Sequence, residues 1–489
     1  MGPRSPRQRR EFAPKIARRE GQTMRTRREH DLLGDKDIPA NVYWGVHTAR
    51  AVENFPITGV TIGQYPDLVA ALATIKQAAA LANKSLGALD AVRADAIVKA
   101  CADIRGGALI DQFVVDVIQG GAGTSSNMNA NEVIANRALE LMGKEKGDYK
   151  TLHPNEHVNL CQSTNDVYPT AIKLALIRQI ASLCDAMEIL RAAFGAKAVE
   201  FDNLVKIGRT QLQDAVPMTL GQEFRTYEIM LGEDIERLRE ASTLLHEINL
   251  GATAIGTGIN AVPGYTNAVR AHLAALTGLP LKTAHDLVEA TQDAGAFVQL
   301  SGVLKRVAVK LSKICNDLRL LSSGPRGGLG EIELPPVQAG SSIMPGKVNP
   351  VIPEVVNQVA FAVIGQDVTV SFAAEAGQLQ LNAFEPIIAH SLFRSLTQMR
   401  QACLVLADKC VVGIRANETR LREIVENSLA LVTALNPKIG YARATEVALA
   451  AHREHKTVRQ VVTEMGLMSS SELDAILNPE ELAKGRQKM

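Results

Sequence analysis

The stretch "GSSIMPGKVNP" (residues 340–350) brings Ser341, Ser342, Lys347 and Asn349 close together in sequence. Two hydroxyls, a cation and an amide between glycines and prolines first raise the chemistry of a phosphate cradle. Such a loop reads G-x-x-x-x-G-K-[ST] after a strand, its last hydroxyl binding magnesium. Here five residues separate Gly340 from Gly346, Val348 replaces the hydroxyl, and no strand pattern precedes. Nucleotide binding by this loop is therefore set aside. Three other polar stretches carry hydroxyls and amides: "GGAGTSSNMNANEV" (120–133), "HPNEHVNLCQSTNDVYPTA" (153–171) and "GRTQLQDAVPMTLGQEF" (208–224). Taken singly, Thr124 or Ser163 reads as a turn or N-cap residue. His153 and His157 make no metal-ligand pattern with another His or Cys, and are read as structural.

These loops need a frame. Ile172, Leu176, Ile180, Leu183, Met187, Leu190, Phe194 and Phe201 recur at three- and four-residue steps, with Lys197 interrupting. Phe224, Tyr227, Leu231, Ile235, Leu238, Leu245 and Ile248 nearly repeat the pattern. Phe297, Leu300, Leu304, Val307, Leu311, Ile314, Leu318 and Leu321 give it most regularly. Such spacing draws one narrow seam along a helix, as in antiparallel bundles. Val303, Ala308, Val309 and Leu320 lie off the last seam yet are apolar, so that helix is expected to be covered on more than one side. Two more helices are predicted at about 354–376 and 390–414. Residues 322–350 form a long connection inside this helical region, and connections of that length are usually functional or disordered. Ile332, Leu334, Val337, Ile343, Met344 and Val348 are expected to anchor it on a core, with Gly324, Gly327, Gly328 and Gly330 as hinges. The expectation is a catalytic lid.

The motifs together resemble those of the aspartase/fumarase superfamily of lyases. "GSSIMPGKVNP" is similar to its signature loop. The 120–133 and 153–171 stretches are similar to its first and second active-site segments, and "LGATAIGTGIN" (250–260) extends the match. The likeness runs from about Glu29 to near the C-terminus. It implies an all-α, three-domain fold with a central long-helix bundle: residues 24–163, 164–418 and 419–489, after an Arg-rich extension over 1–23 expected to be disordered. Within the superfamily, residues 29–59 and 314–359 resemble the aspartase branch. Fumarases read Ser-Ser-Asn-Asp where this chain has Ser163-Thr164-Asn165-Asp166, and Thr-His where it has Thr210-Gln211. Gln211 removes a titratable partner for the glutamate represented here by Glu354, which instead is read as charging the N-terminus of a helix.

The resemblance implies reversible elimination of ammonia from L-aspartate to give fumarate. Ser341 is the family's base for the C3 proton. Ser342 and loop N–H groups would stabilise the enediolate, Lys347 and Asn349 with Thr210 would hold the α-carboxylate, and Thr124, Ser163 and Thr164 the β-carboxylate. Asn165, with Gln211, would orient the amino group. It further implies a homotetramer whose active sites are each shared by three chains, and no cofactor, although some members respond to divalent cations. The alternatives are a fumarate hydratase of the same superfamily and a non-catalytic structural homologue.

Composition leans towards helices packed on helices. The 489 residues are 46% hydrophobic but 4% aromatic, and 53 Lys+Arg balance 52 Asp+Glu. That balance gives no electrostatic reason to bind nucleic acid or a membrane surface. No apolar run was expected to reach the length of a membrane span. The six cysteines are scattered without a C-x-x-C pair, which points to buried, reduced thiols and a cytoplasmic location.

Overall fold

A computed structural model describes residues 25–484. The extension expected over residues 1–23 lies outside them. The chain is built on helices joined by a few two-stranded ribbons, in agreement with the all-α expectation. In chain order the helices are α1 (Val46–Asn54), α2 (Pro66–Ser85), α3 (Ala91–Arg105), α4 (Thr124–Leu141), α5 (Thr164–Glu200), α6 (Leu220–Leu244), α7 (Tyr265–Thr277), α8 (Leu287–Gln292), α9 (Gly295–Leu321), α10 (Val351–Glu375), α11 (Glu385–Lys409), α12 (Glu418–Asn427), α13 (Asn436–Glu454), α14 (Val458–Glu464), α15 (Ser470–Ile476) and α16 (Pro479–Lys484). Two hairpins matter: β1 (Thr26–Asp31) with β2 (Gly34–Pro39), and β3 (Val205–Thr210) with β4 (Gln213–Thr219), both antiparallel.

Local sequence explains many of the helix ends. Pro66 begins α2, where its missing N–H costs nothing. Asp90 caps α3 by accepting from the Arg93 N–H. Capping boxes at Thr457–Gln460 and Ser469–Glu472 start α14 and α15. Pro353 falls in the first turn of α10, the part of a helix that tolerates it.

The chain forms two compact units. The first comprises residues up to Ala181, Leu238–Leu304 and Gly365–Thr397; the second Ser182–Arg237, Lys305–Ile364 and the chain from Gln398. The predicted seams are the cores of both. In the first unit Ile172, Leu176, Leu238, Leu300 and Leu304 are buried, and in the second Leu183, Leu190, Phe194, Phe224, Tyr227, Val307 and Leu318. Phe194, Phe224 and Tyr227 meet edge-on or tilted, with centroids 5.4–6.0 Å apart. Lys197, the break in its seam, is buried too. Its ammonium donates to the Ile414 carbonyl at 2.8 Å and pairs with Glu200. A smaller core of Leu431, Leu435, Val447, Val458, Val462 and Leu473 holds the C-terminal helices together.

One expectation needs correction. Of the residues meant to anchor the 322–350 connection, only Ile332 is buried; Val337, Ile343, Met344 and Val348 are exposed, Ile343 at 83%. The segment is stalked at its start and open at its tip, because the chain offers those side chains no core to enter. Helix α10 is long and apolar enough, by length and composition alone, to cross a membrane. Glu354, Asn357, Gln358 and Asp367 break up its sequence, so it holds no unbroken apolar run of that length. Off the α9 seam, Ala308 is buried but Val309 and Leu320 are exposed, so this chain alone does not supply the second cover expected for that helix.

Candidate active site

Thr124, Ser163, Thr164 and Asn165 all belong to the first unit. Thr124 opens α4, and its Oγ1 donates to the Gly121 carbonyl at 2.7 Å. Gly123 precedes it with φ +87°, and a Cβ there would sit 2.2 Å from the Tyr168 ring. Only glycine fits both the left-handed backbone and the close approach. One turn along α4, Asn127 donates to Thr164 Oγ1 at 3.1 Å and to Asn159 Oδ1 at 3.2 Å. Asn159 Oδ1 also accepts from Lys76 Nζ at 2.8 Å and from Asn131 at 3.2 Å. A fully buried lysine thus lies beneath the hydroxyls. Burial pulls the Lys76 ammonium down to about 7, with the Asp166 carboxylate opposing the shift.

The start of α5 is held from outside the helix. Pro169 lies inside it and has no N–H to give the Asn165 carbonyl one turn earlier. The Asn249 amide takes that carbonyl at 3.0 Å. In turn Asn165 Nδ2 donates to the Ala254 carbonyl at 2.8 Å. The buried Asp166 carboxylate receives the Gly251 and Thr253 N–H groups at 3.0 and 2.9 Å and the Ser163 N–H at 3.0 Å. Burial pushes its carboxyl up to about 6, while the N–H groups of Thr253, Ser163 and Gly251 pull the other way. So the 250–260 stretch is a clamp on the Ser-Thr-Asn segment. His153 caps a short π-helical turn by accepting from the Asn155 and Glu156 N–H groups, and His157 accepts from the His153 N–H. Both histidines are structural, as read.

Thr210, Gln211, Ser341, Ser342, Lys347 and Asn349 belong to the second unit. Thr210 ends β3, and the turn Gln211-Leu212 closes the hairpin with φ of +54° and +63°. A two-residue turn with both φ positive matches strand twist but usually demands Asn or Gly. Here Gln and Leu occupy it, at a conformational cost of about 1–2 kcal/mol each. In the loop, Asn349 Nδ2 donates to the Gly340 carbonyl at 2.8 Å and closes a ring of backbone. A Cβ at Gly340 would stand 2.2 Å from the Lys347 carbonyl, so the ring is closed only with glycine. Ser341 Oγ accepts the Met344 N–H at 2.9 Å and the Ile343 N–H at 3.3 Å. Two amides aimed at one oxygen cap a turn, and the same pair would also favour that oxygen as an alkoxide. Ser342 and Lys347 are exposed. Glu354 stands in the first turn of α10.

The polar groups under the first-unit hydroxyls were missed in the sequence. Lys76 gave a signal: it is the one charge within "LVAALATIKQAAALAN". Asn127, Asn159 and Asp166 gave none, being polar residues among polar residues.

Comparison with known proteins decides the family. A lyase family model matches residues 34–365, and the fumarase C C-terminal model matches 431–484. The aspartate ammonia-lyase of Pseudomonas aeruginosa is 58% identical over 94% of this chain and 98% of its own length. That of Escherichia coli is 54% identical over 93% and 95%. The chain belongs to the aspartase/fumarase superfamily. Among superfamily structures, a fumarate lyase:delta crystallin from Brucella melitensis, bound to cobalt, superposes with a TM-score of 0.92 at 57% identity, covering 94% of this chain and 100% of that one. A class II fumarase from Schistosoma mansoni superposes with 0.91 at only 37%, covering 95% and 100%. Within this superfamily the fold therefore does not distinguish an ammonia-lyase from a hydratase; the sequence does.

Proposed function

We propose that this enzyme is a carbon–nitrogen lyase that reversibly eliminates ammonia from L-aspartate to give fumarate. The observation that carries the reading is 54–58% identity, over nearly the whole length, to relatives named aspartate ammonia-lyase. Thr164 and Gln211 support it against a hydratase, since a glutamine cannot take up a proton as a histidine can.

In the proposed reaction the Ser341 alkoxide removes the C3 proton. The C–H electron pair moves onto the β-carboxylate as an enediolate, then returns to form the C2–C3 double bond as the C2–N bond breaks. Serine is a weak base, and the Met344 and Ile343 N–H groups at its oxygen support the alkoxide. Ser342 donates to the growing enediolate, together with Thr124, Ser163 and Thr164 at the β-carboxylate. Lys347, Asn349 and Thr210 hold the α-carboxylate. With its Nδ2 engaged by Ala254, Asn165 offers Oδ1 to the ammonium, alongside Gln211. No cofactor takes part, a reading supported by a residue set of hydroxyls, amides and one ammonium.

We further propose a cytoplasmic homotetramer in which three chains share each site. Support comes from Phe361, Val368 and Phe372, which with Gly365 fall on one stripe of α10 and are 51–71% exposed. A stripe of that kind on a free chain fits an interface better than solvent. The six cysteines are buried and free, as a reducing compartment allows. The test is fumarate formation from L-aspartate, followed by ultraviolet absorbance. Ser341→Ala should lose about 10²–10⁴-fold in kcat. Hydration of fumarate to malate without any action on aspartate would make the protein a hydratase instead.

A further inference from the structure

Asn127 is 2% exposed and meets Lys76, Asn159 and Thr164 beneath the Ser-Thr-Asn corner. What each group can donate or accept fixes the direction of every hydrogen bond among them. An ammonium donates and cannot accept, so Lys76 Nζ at 2.8 Å requires the oxygen end of the Asn159 amide. The other end of that amide agrees, since Asn159 Nδ2 donates to the Gln162 carbonyl at 3.2 Å. Asn159 Oδ1 therefore faces Asn127, and only the Nδ2 end of Asn127 can answer it, at 3.2 Å. The second hydrogen of that Nδ2 goes to Thr164 Oγ1 at 3.1 Å.

Holding the amide this way leaves a mark. Asn127 Oδ1 is buried without a hydrogen-bond partner, which is uncommon in a folded chain. Turning the amide over would set that oxygen against Asn159 Oδ1 instead. The orphan oxygen is thus the consequence of aiming the NH2 group at two other oxygens. A hydroxyl has one proton to give and two lone pairs to fill. With Asn127 donating into a lone pair of Thr164, the Thr164 proton cannot also point at Asn127. Among the described residues it meets no acceptor. Ser163 Oγ is filled in the same way, by the Asn165 N–H at 3.2 Å.

We infer that Asn127 is a positioning residue that keeps the Thr164 hydroxyl a donor to the β-carboxylate of the substrate. A threonine whose neighbour offered an oxygen would give its proton inwards and present lone pairs to an anion. The benefit is largest in the transition state, where a second negative charge reaches that carboxylate. Lys76, Asn127, Asn159 and Thr164 all belong to the first unit of one chain, so the relay does not depend on which other chains complete the site. This inference rests on the proposed ammonia-lyase reaction, and the experiment separates the two.

Asn127→Leu is made in wild type, in Thr164→Ser and in Thr164→Val. The readouts are kcat on L-aspartate, succinate binding by calorimetry, and thermal unfolding. In wild type, Asn127→Leu should lower kcat about tenfold and weaken succinate about threefold, the range of one misdirected hydrogen bond. Thr164→Ser keeps the hydroxyl, so the same losses should recur there. Thr164→Val has no hydroxyl to direct, and there succinate affinity should not respond to Asn127→Leu. Equal weakening of succinate in the Thr164→Val background overturns the inference, because the amide would then act by another route. So does a kcat that Asn127→Leu leaves unchanged. If Asn127→Leu does not fold, Asn127→Ala takes its place, and unfolding of both overturns the inference by making the amide a packing element only. Wild type inactive on L-aspartate would sink the proposed reaction instead, and the succinate comparison would still report on Asn127.

Discussion

At the scale of single residues, the site depends on positions with no room to vary. Gly123 combines a left-handed backbone with contact against the Tyr168 ring, directly ahead of Thr124. Gly123→Ala should destabilise by about 2–4 kcal/mol, from overpacking and backbone strain together. Denaturant titration checks this, and a loss under about 1 kcal/mol would mean the turn relaxes freely. Glu385, the first residue of α11, makes a different point. Burial drives its carboxyl up to about 8, with the Lys173 ammonium opposing. In the unfolded chain the group returns to its ordinary range, so between about pH 4.5 and 8 the folded form binds more protons. Stability from this group is then present at low pH and lost as pH rises through that window, by at most about 1.4 kcal/mol per pH unit. Glu385→Gln should flatten the fall in melting temperature between pH 5 and pH 8. A variant whose profile still parallels wild type would show that Glu385 is ionised throughout.

At the scale of elements, periodicity was the legible signal. The seam residues on α5, α6 and α9 are buried as their spacing predicted, because burial of a stripe is what a three- and four-residue rhythm encodes. The helices expected at 354–376 and 390–414 run over Val351–Glu375 and Glu385–Lys409. The β3–β4 hairpin was not legible: Gln211 and Leu212 do not look like turn residues, and their positive φ angles are imposed by the strands rather than preferred. The apolar loop residues misled for a simpler reason. Hydrophobicity says that Ile343 or Val348 needs cover, but not that this chain provides it. Of the candidate site, the motifs located the hydroxyls and Lys347, while the groups that hold them were hidden. Asn127, Asn159 and Asn249 work through side chains that meet only after the helices have packed, and sequence spacing carries no trace of that meeting.

At the scale of the whole molecule, the exposed stripe on α10 is the feature that must be answered. If it joins copies of the chain, Phe361→Glu with Phe372→Glu should convert a tetramer into smaller species. Activity should fall in step, since a site shared among chains needs all of them. Light scattering after gel filtration measures the mass, and an active monomer would end the shared-site reading. Mixing inactive Ser341→Ala with inactive Thr164→Val should then restore activity, because some hybrid sites would draw each part from an intact copy.

The proline in α5 has one more consequence, and it concerns time. Pro169 leaves the Asn165 carbonyl without a partner in its own helix, and the partner it finds, Asn249, emerges much later in synthesis. The same delay applies to the Gly251 and Thr253 amides that the Asp166 carboxylate awaits. The Ser163–Asp166 corner therefore stays unfinished until the chain has turned back from α6, and the helix start is sealed by a segment that did not exist when the helix was made. The corner proposed to grip the substrate is thus completed only in a chain that already contains the structure meant to close it.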